Sequence, residues 1–248
     1  MVVDDGSTDE TGKIGEEAGA RVIRHPHNQG YGASIKTGVR ESIYDHICII
    51  DADGTYPCVA IPLLLERMEK ESADMIIGAR PWNKIPIGRR PAKFVIHRIA
   101  ESLVHRKILD LNSGLRVFLK KQFNRQISVL PDGFSLTSSI TLIFLTEGYK
   151  ISYIPVDYYE RAGKSKIHPI KDTLRFLRLI LRTILYGDPL SLFLPFSLLL
   201  LILGGLLAIA QAIFFEDIGS ISFFLISSGI QILAIGLLAD LVNHRLRR

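Results

Sequence analysis

Hydrophobic positions follow two different patterns along the chain. Up to about residue 165, short apolar runs alternate with segments in which apolar residues recur every three or four positions. The runs predict strands and the periodic segments predict helices. Charged residues are then missing from Pro189 to Phe215 and again from Ile218 to Ala239. At ~1.5 Å per residue, each stretch can cross a hydrocarbon core of ~30 Å as a helix. The pattern therefore predicts an α/β domain followed by two transmembrane helices, at about residues 190–215 and 218–241.

The first part of the chain predicts a Rossmann-like domain with a mostly parallel sheet. The predicted strands are residues 1–3, 20–24, 46–50, 74–78, 115–119 and 150–155, and the predicted helices are residues 11–19, 32–43, 61–70, 89–106 and 134–148. Ligands of such sheets lie beyond the carboxyl ends of the strands. Three predicted strands end in charged residues: Asp4 and Asp5, then Asp51 and Asp53, then Arg80. We therefore expect these side chains to share one site.

The distribution of positive charge matters more than the net charge of +5. Basic residues precede the first apolar stretch and follow the second, whereas the turn between them holds only Glu216 and Asp217. The positive-inside rule then places the α/β domain and the C-terminus on the cytoplasmic side. A basic amphipathic helix is predicted at residues 167–187, suited to the lipid headgroup layer. Its basic face consists of Lys171, Arg175, Arg178 and Arg182.

Composition narrows the class of protein further. With 48% hydrophobic and 22% charged residues, the chain is neither disordered nor collagen-like. Its two cysteines are too few for a disulfide framework. We expect membrane lipid as a partner and no nucleic acid, and self-association stays open. The predicted domains are residues 1–166, 167–187 and 188–248.

Asp51 and Asp53 are the strongest candidate metal ligands. They stand two residues apart where a strand opens into a turn, and paired carboxylates suit Mg²⁺ or Mn²⁺. The same residues could instead only organise an Asx-type turn. They also match the first motif of haloacid-dehalogenase-type phosphatases, although no two aspartates are adjacent after Thr55. Gly30 and Gly32 form a partial dinucleotide fingerprint, which a turn opening a helix explains equally well.

Five motifs together indicate a known family. In chain order they are VDDGSTD from Val3, NQGYG from Asn28, DAD from Asp51, NSGLR from Asn112 and YERAGKSK from Tyr159. The series resembles the family 2 glycosyltransferases of the GT-A fold, and is most similar to the polyprenyl-phosphate sugar transferases of the dolichyl-phosphate mannose synthase-like group. The two C-terminal spans suit the membrane-anchored branches of that group. The family normally opens with one further strand, so the resemblance implies an N-terminally truncated domain whose first strand is missing.

The resemblance also implies roles for individual residues. Asp53 would be the main metal ligand, with Asp51 and Thr55 contributing oxygens, and Asp53, Arg116 and Arg161 would be catalytic. The acceptor phosphate would meet Ser113, Arg116 and Lys166. The nucleotide sugar would contact Val3, Asp5, Asp51, Ala52, Asp53, Arg80, Arg161 and Lys166.

The implied reaction is the inverting, metal-dependent transfer of a hexose from a nucleoside-diphosphate sugar to polyprenyl phosphate, either undecaprenyl or dolichyl, at the cytoplasmic membrane face. Three alternatives stay open. The chain could be an inactive subunit or anchor of a membrane glycosyltransferase, or a phosphatase of the type named above. It could also be a processive polysaccharide synthase, although its only tryptophan, Trp82, lies outside the motif such enzymes carry.

Overall fold

A computed structural model of the protein describes residues 1–81, 98, 100–101, 104, 106–133, 135–159, 181, 185, 188–215 and 219–246. The chain divides into two compact units, Met1–Leu179 and Ile180–Arg248. Most of the predicted basic amphipathic helix, including its four basic residues, and most of the predicted helix at residues 89–106 lie outside the described residues.

The first unit alternates strands and helices. Its strands are β1 (Val2–Asp4), β2 (Val22–Arg24), β3 (His46–Ile49), β4 (Met75–Ala79), β5 (Arg116–Leu119) and β6 (Ile151–Pro155). Its longer described helices are α1 (Thr11–Glu17), α2 (Tyr31–Glu41), α3 (Ile61–Glu71), α4 (Lys120–Gln126) and α5 (Leu136–Thr146). Helix α4 was not predicted, because its sequence KKQFNRQ carries a single buried apolar residue, Phe123, and so has no apolar periodicity.

The strands form two sheets, of which the larger is mixed in direction and the smaller is parallel. In the larger sheet the order is β3-β5-β4-β6, and β5 runs antiparallel to both of its neighbours. Because β4 and β6 are parallel, three of the four strands point the same way and only β5 is reversed. The smaller sheet consists of β1 and β2 in parallel, so within the described residues β1 and β3 each have a strand on one side only. Most strands therefore run parallel, as the sequence predicted, and the reversal of β5 makes the larger sheet mixed.

Strand β4 lies at the centre of the core. All five of its residues are buried, as expected of a strand covered on both faces. Successive side chains of a strand point to opposite faces. Accordingly Met75 and Ile77 pack with Phe144 of α5, whereas Ile76 packs with Leu64 of α3. Helices thus cover both faces of the sheet and leave its carboxyl edge for a site.

The second unit is a pair of long apolar helices, α6 (Pro189–Phe215) and α7 (Ser220–Leu246). Each has 27 residues, or roughly 40 Å at 1.5 Å per residue. Both are long and apolar enough to cross a membrane, and only 11% and 17% of their most apolar windows are buried. Helix α7 extends beyond its predicted end at residue 241 and continues to Leu246.

Small residues let the two helices approach closely. A Cβ at Gly204 would lie 2.8 Å from Ile226, and a Cβ at Gly229 would lie 2.8 Å from Leu201. Apolar helices that cannot gain from hydrophobic burial in lipid associate through close contacts of this kind. The two helices therefore form a packed hairpin.

Candidate active site

The loop after β1 is organised by Asp5. One of its carboxylate oxygens accepts hydrogen bonds from the backbone N–H of Gln29 at 2.9 Å and pairs with Nδ1 of His25 at 2.7 Å, and the other accepts from the N–H of Gly30 at 2.8 Å. Although partial burial opposes the charge, these bonds lower the pKa of Asp5 below its ordinary value. Nε2 of His25 in turn lies 3.0 Å from the hydroxyl of Thr37. Asp5 therefore fixes the loop that opens α2.

That loop delivers a tyrosine to the end of β3. Gly30 caps α2 with a φ of 106°, a conformation that glycine adopts without strain. The next residue, Tyr31, donates its hydroxyl to Oδ1 of Asp51 at 3.1 Å. Burial and the nearby Asp51 charge raise the pKa of Tyr31, so the hydroxyl stays protonated and remains a donor. Asp5 and Asp51 are thus linked through three consecutive residues.

Asp53 closes a tight turn with Thr55. Its Oδ1 accepts hydrogen bonds from the backbone N–H of Thr55 at 3.2 Å and from the Thr55 hydroxyl at 2.6 Å. The carbonyl of Thr55 accepts from the N–H of Tyr159 at 3.0 Å, which ties the turn to the segment after β6. Thr55 is fully buried. Its predicted role as a metal ligand stays a prediction, and the contact that the structure shows is the hydrogen bond by which its hydroxyl orients Asp53.

Arg80 is held by a carboxylate that the sequence analysis did not identify. Nε and Nη2 of Arg80 donate to the two oxygens of Asp110 at 2.7 and 2.8 Å. The guanidinium also lies 5.4 Å from the ring centre of Tyr158, within the range of a cation–π contact. Desolvation opposes the charge, but the Asp110 pair raises the pKa of Arg80. Its predicted contact with the donor phosphate stays a prediction, and the ion pair is the role that the contacts show.

Arg116 and Ser113 lie under the site and are both fully buried. The Arg116 guanidinium donates to the carbonyl of Ser113 at 2.6 Å, and to the carbonyl of Thr137 and the hydroxyl of Thr141 in α5 at 2.7 and 2.9 Å. The Ser113 hydroxyl donates to the carbonyl of Gly78 at 2.5 Å. Their predicted contacts with the acceptor phosphate stay predictions. The contacts that the structure shows are hydrogen bonds to main-chain and hydroxyl oxygens inside the core.

The remaining predicted site residues divide into two groups. Val3 is half-buried within β1, and Ala52 is exposed in the turn between Asp51 and Asp53. Arg161 and Lys166 lie outside the described residues, so their predicted phosphate contacts stay predictions.

A network of hydrogen bonds, completed by one close contact, connects the three strand ends. Its first set of bonds links Asp5 to Asp51 through Gly30 and Tyr31, as above. Its second set links Arg80 to Asp110, which also accepts from the N–H of Asn112 at 3.1 Å. Asn112 opens the turn whose Gly114 lies against Asp51. The polar residues that this network adds to the sequence prediction are Tyr31, Tyr56, Asp110 and His25.

The carboxylate pair fits a divalent cation of one particular kind. Within the described residues no three His, Cys, Asp or Glu side chains gather as a ligand set, so the protein alone offers no metal cage. Mg²⁺ is usually held by one or two carboxylates together with water and substrate phosphates. Asp51 and Asp53, two carboxylates on one short turn, match that donor set. The residues present therefore suit a cation shared with a bound diphosphate.

Residues 1–136 match the family described as glycosyl transferase family 2. The chain belongs to this family. Residues 188–244 of this family 2 glycosyltransferase also match the GtrB C-terminal hairpin, which coincides with α6 and α7. The predicted family, the glycosyltransferase activity and the GT-A fold are confirmed, and the phosphatase alternative is removed.

Two relatives come from the archaeon Haloferax volcanii. Glycosyltransferase AglJ is 30% identical to this glycosyltransferase, over 98% of this chain and 84% of that protein. A dolichyl-phosphate hexose transferase is 28% identical, over 68% of this chain and 74% of that protein. Among solved structures, glucosyl-3-phosphoglycerate synthase from Mycobacterium tuberculosis, crystallised with Mn²⁺, UDP-glucose and phosphoglyceric acid, superimposes with a TM-score of 0.58. It is 19% identical, over 73% of this chain and 67% of that one, and this likeness establishes the fold.

Proposed function

We propose that this glycosyltransferase moves a hexose from a nucleoside-diphosphate sugar to a polyprenyl phosphate, with inversion at the anomeric carbon and with a divalent cation. The donor would bind at the carboxyl ends of β1, β3 and β4. The observation that carries the proposal is the network at those three strand ends. Hydrogen bonds join Asp5 to Asp51 and join Arg80 to the turn that Asn112 opens, and Gly114 of that turn lies against Asp51. The GT-A neighbour solved with Mn²⁺ and UDP-glucose supports a nucleotide-sugar donor.

The chemistry suits the groups that the chain supplies. An oxygen of the lipid phosphate forms a bond to the anomeric carbon, the bond from that carbon to the diphosphate breaks, and the nucleoside diphosphate leaves with the electron pair. A phosphate monoester has its second pKa near ~6, so at neutral pH it is already an anionic nucleophile. No general base is required. The described site accordingly presents carboxylates and hydroxyls that are themselves engaged in hydrogen bonds.

The protein's part is to bind and orient. A cation held by Asp51 and Asp53 would neutralise the charge that develops on the leaving diphosphate. Tyr31 and Thr55 keep those carboxylates in place through their hydroxyl groups. Because the orienting bonds exist before substrate arrives, little reorganisation is needed during the reaction.

The acceptor assignment has separate support. The chain carries two helices long and apolar enough to span a membrane, and they match the GtrB hairpin. A relative is named as a dolichyl-phosphate hexose transferase. The basic residues that flank the hairpin in the sequence favour a cytoplasmic site. A polyprenyl phosphate is the acceptor that a membrane-anchored enzyme of this family can reach at the headgroup layer.

The decisive experiment offers membranes that contain the full chain a panel of labelled nucleotide sugars together with polyprenyl phosphate. We expect organic-phase label from one donor, and loss of that label on adding EDTA and in Asp53→Ala. Asp45→Ala is the matched control, because Asp45 is an exposed aspartate at the opposite end of β3. It should retain wild-type transfer.

The outcomes separate the parts of the proposal. Absence of lipid-linked sugar with every donor would overturn the function and favour the inactive-subunit alternative. Transfer that survives in Asp53→Ala would leave the reaction standing and remove the metal assignment. Label found in water-soluble product would exclude the polyprenyl acceptor.

A further inference from the structure

The carboxylate of Asp51 lies directly against the α-carbon of Gly114. A Cβ added at Gly114 would meet three atoms of the Asp51 side chain, and even the farther carboxylate oxygen would be only 2.6 Å away. Gly114 does not have a positive φ. The glycine is therefore required here by close approach to a neighbouring side chain, and not by an unusual backbone conformation.

The turn that carries Gly114 cannot easily retreat. The N–H of Gly114 donates to the hydroxyl of Tyr56 at 2.8 Å, and the preceding carbonyl, of Ser113, accepts from Arg116 at 2.6 Å. Arg116 is also bonded to the main chain of α5 through Thr137. All of these groups are buried, so a shift of the turn would leave several polar atoms without partners.

Asp51 also has a hydrogen-bond partner that is fixed in place. The hydroxyl of Tyr31 donates to Oδ1 of Asp51 at 3.1 Å, and Tyr31 is fixed at the first turn of α2. The carboxylate thus contacts both a hydrogen-bond donor and a bare α-carbon. Both contacts constrain its direction.

We propose that Gly114 is a positioning residue that sets the direction of the Asp51 carboxylate toward the bound cation and diphosphate. The inference rests on the proposed function, which assigns Asp51 to the donor site. Any side chain at position 114 would turn the carboxylate away from its present direction. Arg116 contributes to this positioning, because its hydrogen bond to the Ser113 carbonyl keeps the turn in place.

The test compares Gly114→Ala, Asp51→Ala and the double variant in the full chain, purified in detergent. Gly133→Ala is the matched control, since Gly133 also lacks a positive φ and an added Cβ there would meet nothing within 4 Å. Two quantities are measured: binding of Mn²⁺, by electron paramagnetic resonance, in the presence of uridine or guanosine diphosphate, and the thermal unfolding midpoint without ligand. Misplacement of a metal ligand by its supporting residues typically weakens metal binding on the order of 10–100-fold.

We expect Gly114→Ala to weaken nucleotide-dependent Mn²⁺ binding by about 10-fold or more and to lower the unfolding midpoint. In the Asp51→Ala background Mn²⁺ binding should already be lost, and the effect of Gly114→Ala on the unfolding midpoint should vanish, because the clashing carboxylate is then gone. Gly133→Ala should match the wild type. The positioning role alone is overturned if Gly114→Ala binds Mn²⁺ as the wild type does while Asp51→Ala loses binding. It is also overturned if Gly114→Ala lowers the unfolding midpoint equally in the wild-type and Asp51→Ala backgrounds. If Asp51→Ala itself leaves Mn²⁺ binding unchanged, or if neither nucleotide raises it in the wild type, the proposed metal site fails and the positioning role fails with it.

Discussion

Replacing Asp110 with asparagine should destabilise the α/β domain more than any exposed charge change. The Asp110 side chain is 2% exposed, and its carboxylate accepts hydrogen bonds from Nε and Nη2 of Arg80 and from the N–H of Asn112. An asparagine keeps the shape but turns an NH₂ group toward one of these donors. Arg80, whose side chain is only 19% exposed, would then keep its charge without a counter-charge at this position.

The size of the effect follows from burial. Removing one partner of a buried ion pair typically costs about 3–5 kcal/mol, because the remaining charge stays out of water. At roughly 2–4 °C per kcal/mol for a domain of this size, the unfolding midpoint should fall by roughly 6–20 °C. Glu66→Gln provides the contrast, since the Lys70–Glu66 pair is exposed, with side chains 69% and 58% accessible. Such surface pairs contribute about 0–1 kcal/mol.

The assay is thermal unfolding of the full chain in detergent, followed by circular dichroism. A third variant, Arg80→Met with Asp110→Leu, replaces the whole pair by apolar groups and should recover most of the lost stability, because no unpaired charge is left behind. The reasoning is refuted if Asp110→Asn and Glu66→Gln lower the midpoint equally. It is also refuted if the apolar pair is no more stable than Asp110→Asn.

Three further outcomes are expected. Gly32→Ala should reduce the free energy of unfolding by about 1–3 kcal/mol and so lower the unfolding midpoint, because its Cβ would lie 2.8 Å from the carbonyl carbon of Asp132. Gly133→Ala, measured in parallel, should leave the midpoint unchanged. Asp5→Asn should destabilise the chain at neutral pH. The difference in stability from the wild type should shrink as the pH falls below 3.8, because the pKa of Asp5 is depressed in the folded protein and its contribution is lost on protonation. Equal differences in stability at pH 3 and pH 7 would contradict this. Gln211→Leu should weaken the hairpin by about 0.6 kcal/mol, the average for such bonds in membranes, since its side-chain oxygen accepts from the N–H of Gly219; unfolding in mixed micelles measures this loss.

Most elements of the fold were predictable from the sequence because their signals are local. The apolar run at β4 and the periodicity of α3 appear at the predicted positions, within one residue or so at each end. The uncharged stretches that form α6 and α7 could be predicted as helices from their apolar composition alone. The reversed direction of β5 was not predictable, since a strand's apolar pattern is the same whichever way it runs. Helix α4 was missed because Phe123 is its only buried anchor.

The candidate site likewise has features that local sequence predicts and features that it does not. The chemistry that the chain offers can be inferred from local sequence, because the carboxylates of Asp51 and Asp53 follow a strand at a fixed spacing. The contacts of each charged group depend instead on how distant segments pack together. Arg80 finds its partner thirty positions away in Asp110, and Arg116 is turned into the core beneath the site. An arginine has the same local sequence signal whether its guanidinium faces a ligand or a buried carbonyl. The packing of segments far apart in the chain determines which of the two it contacts.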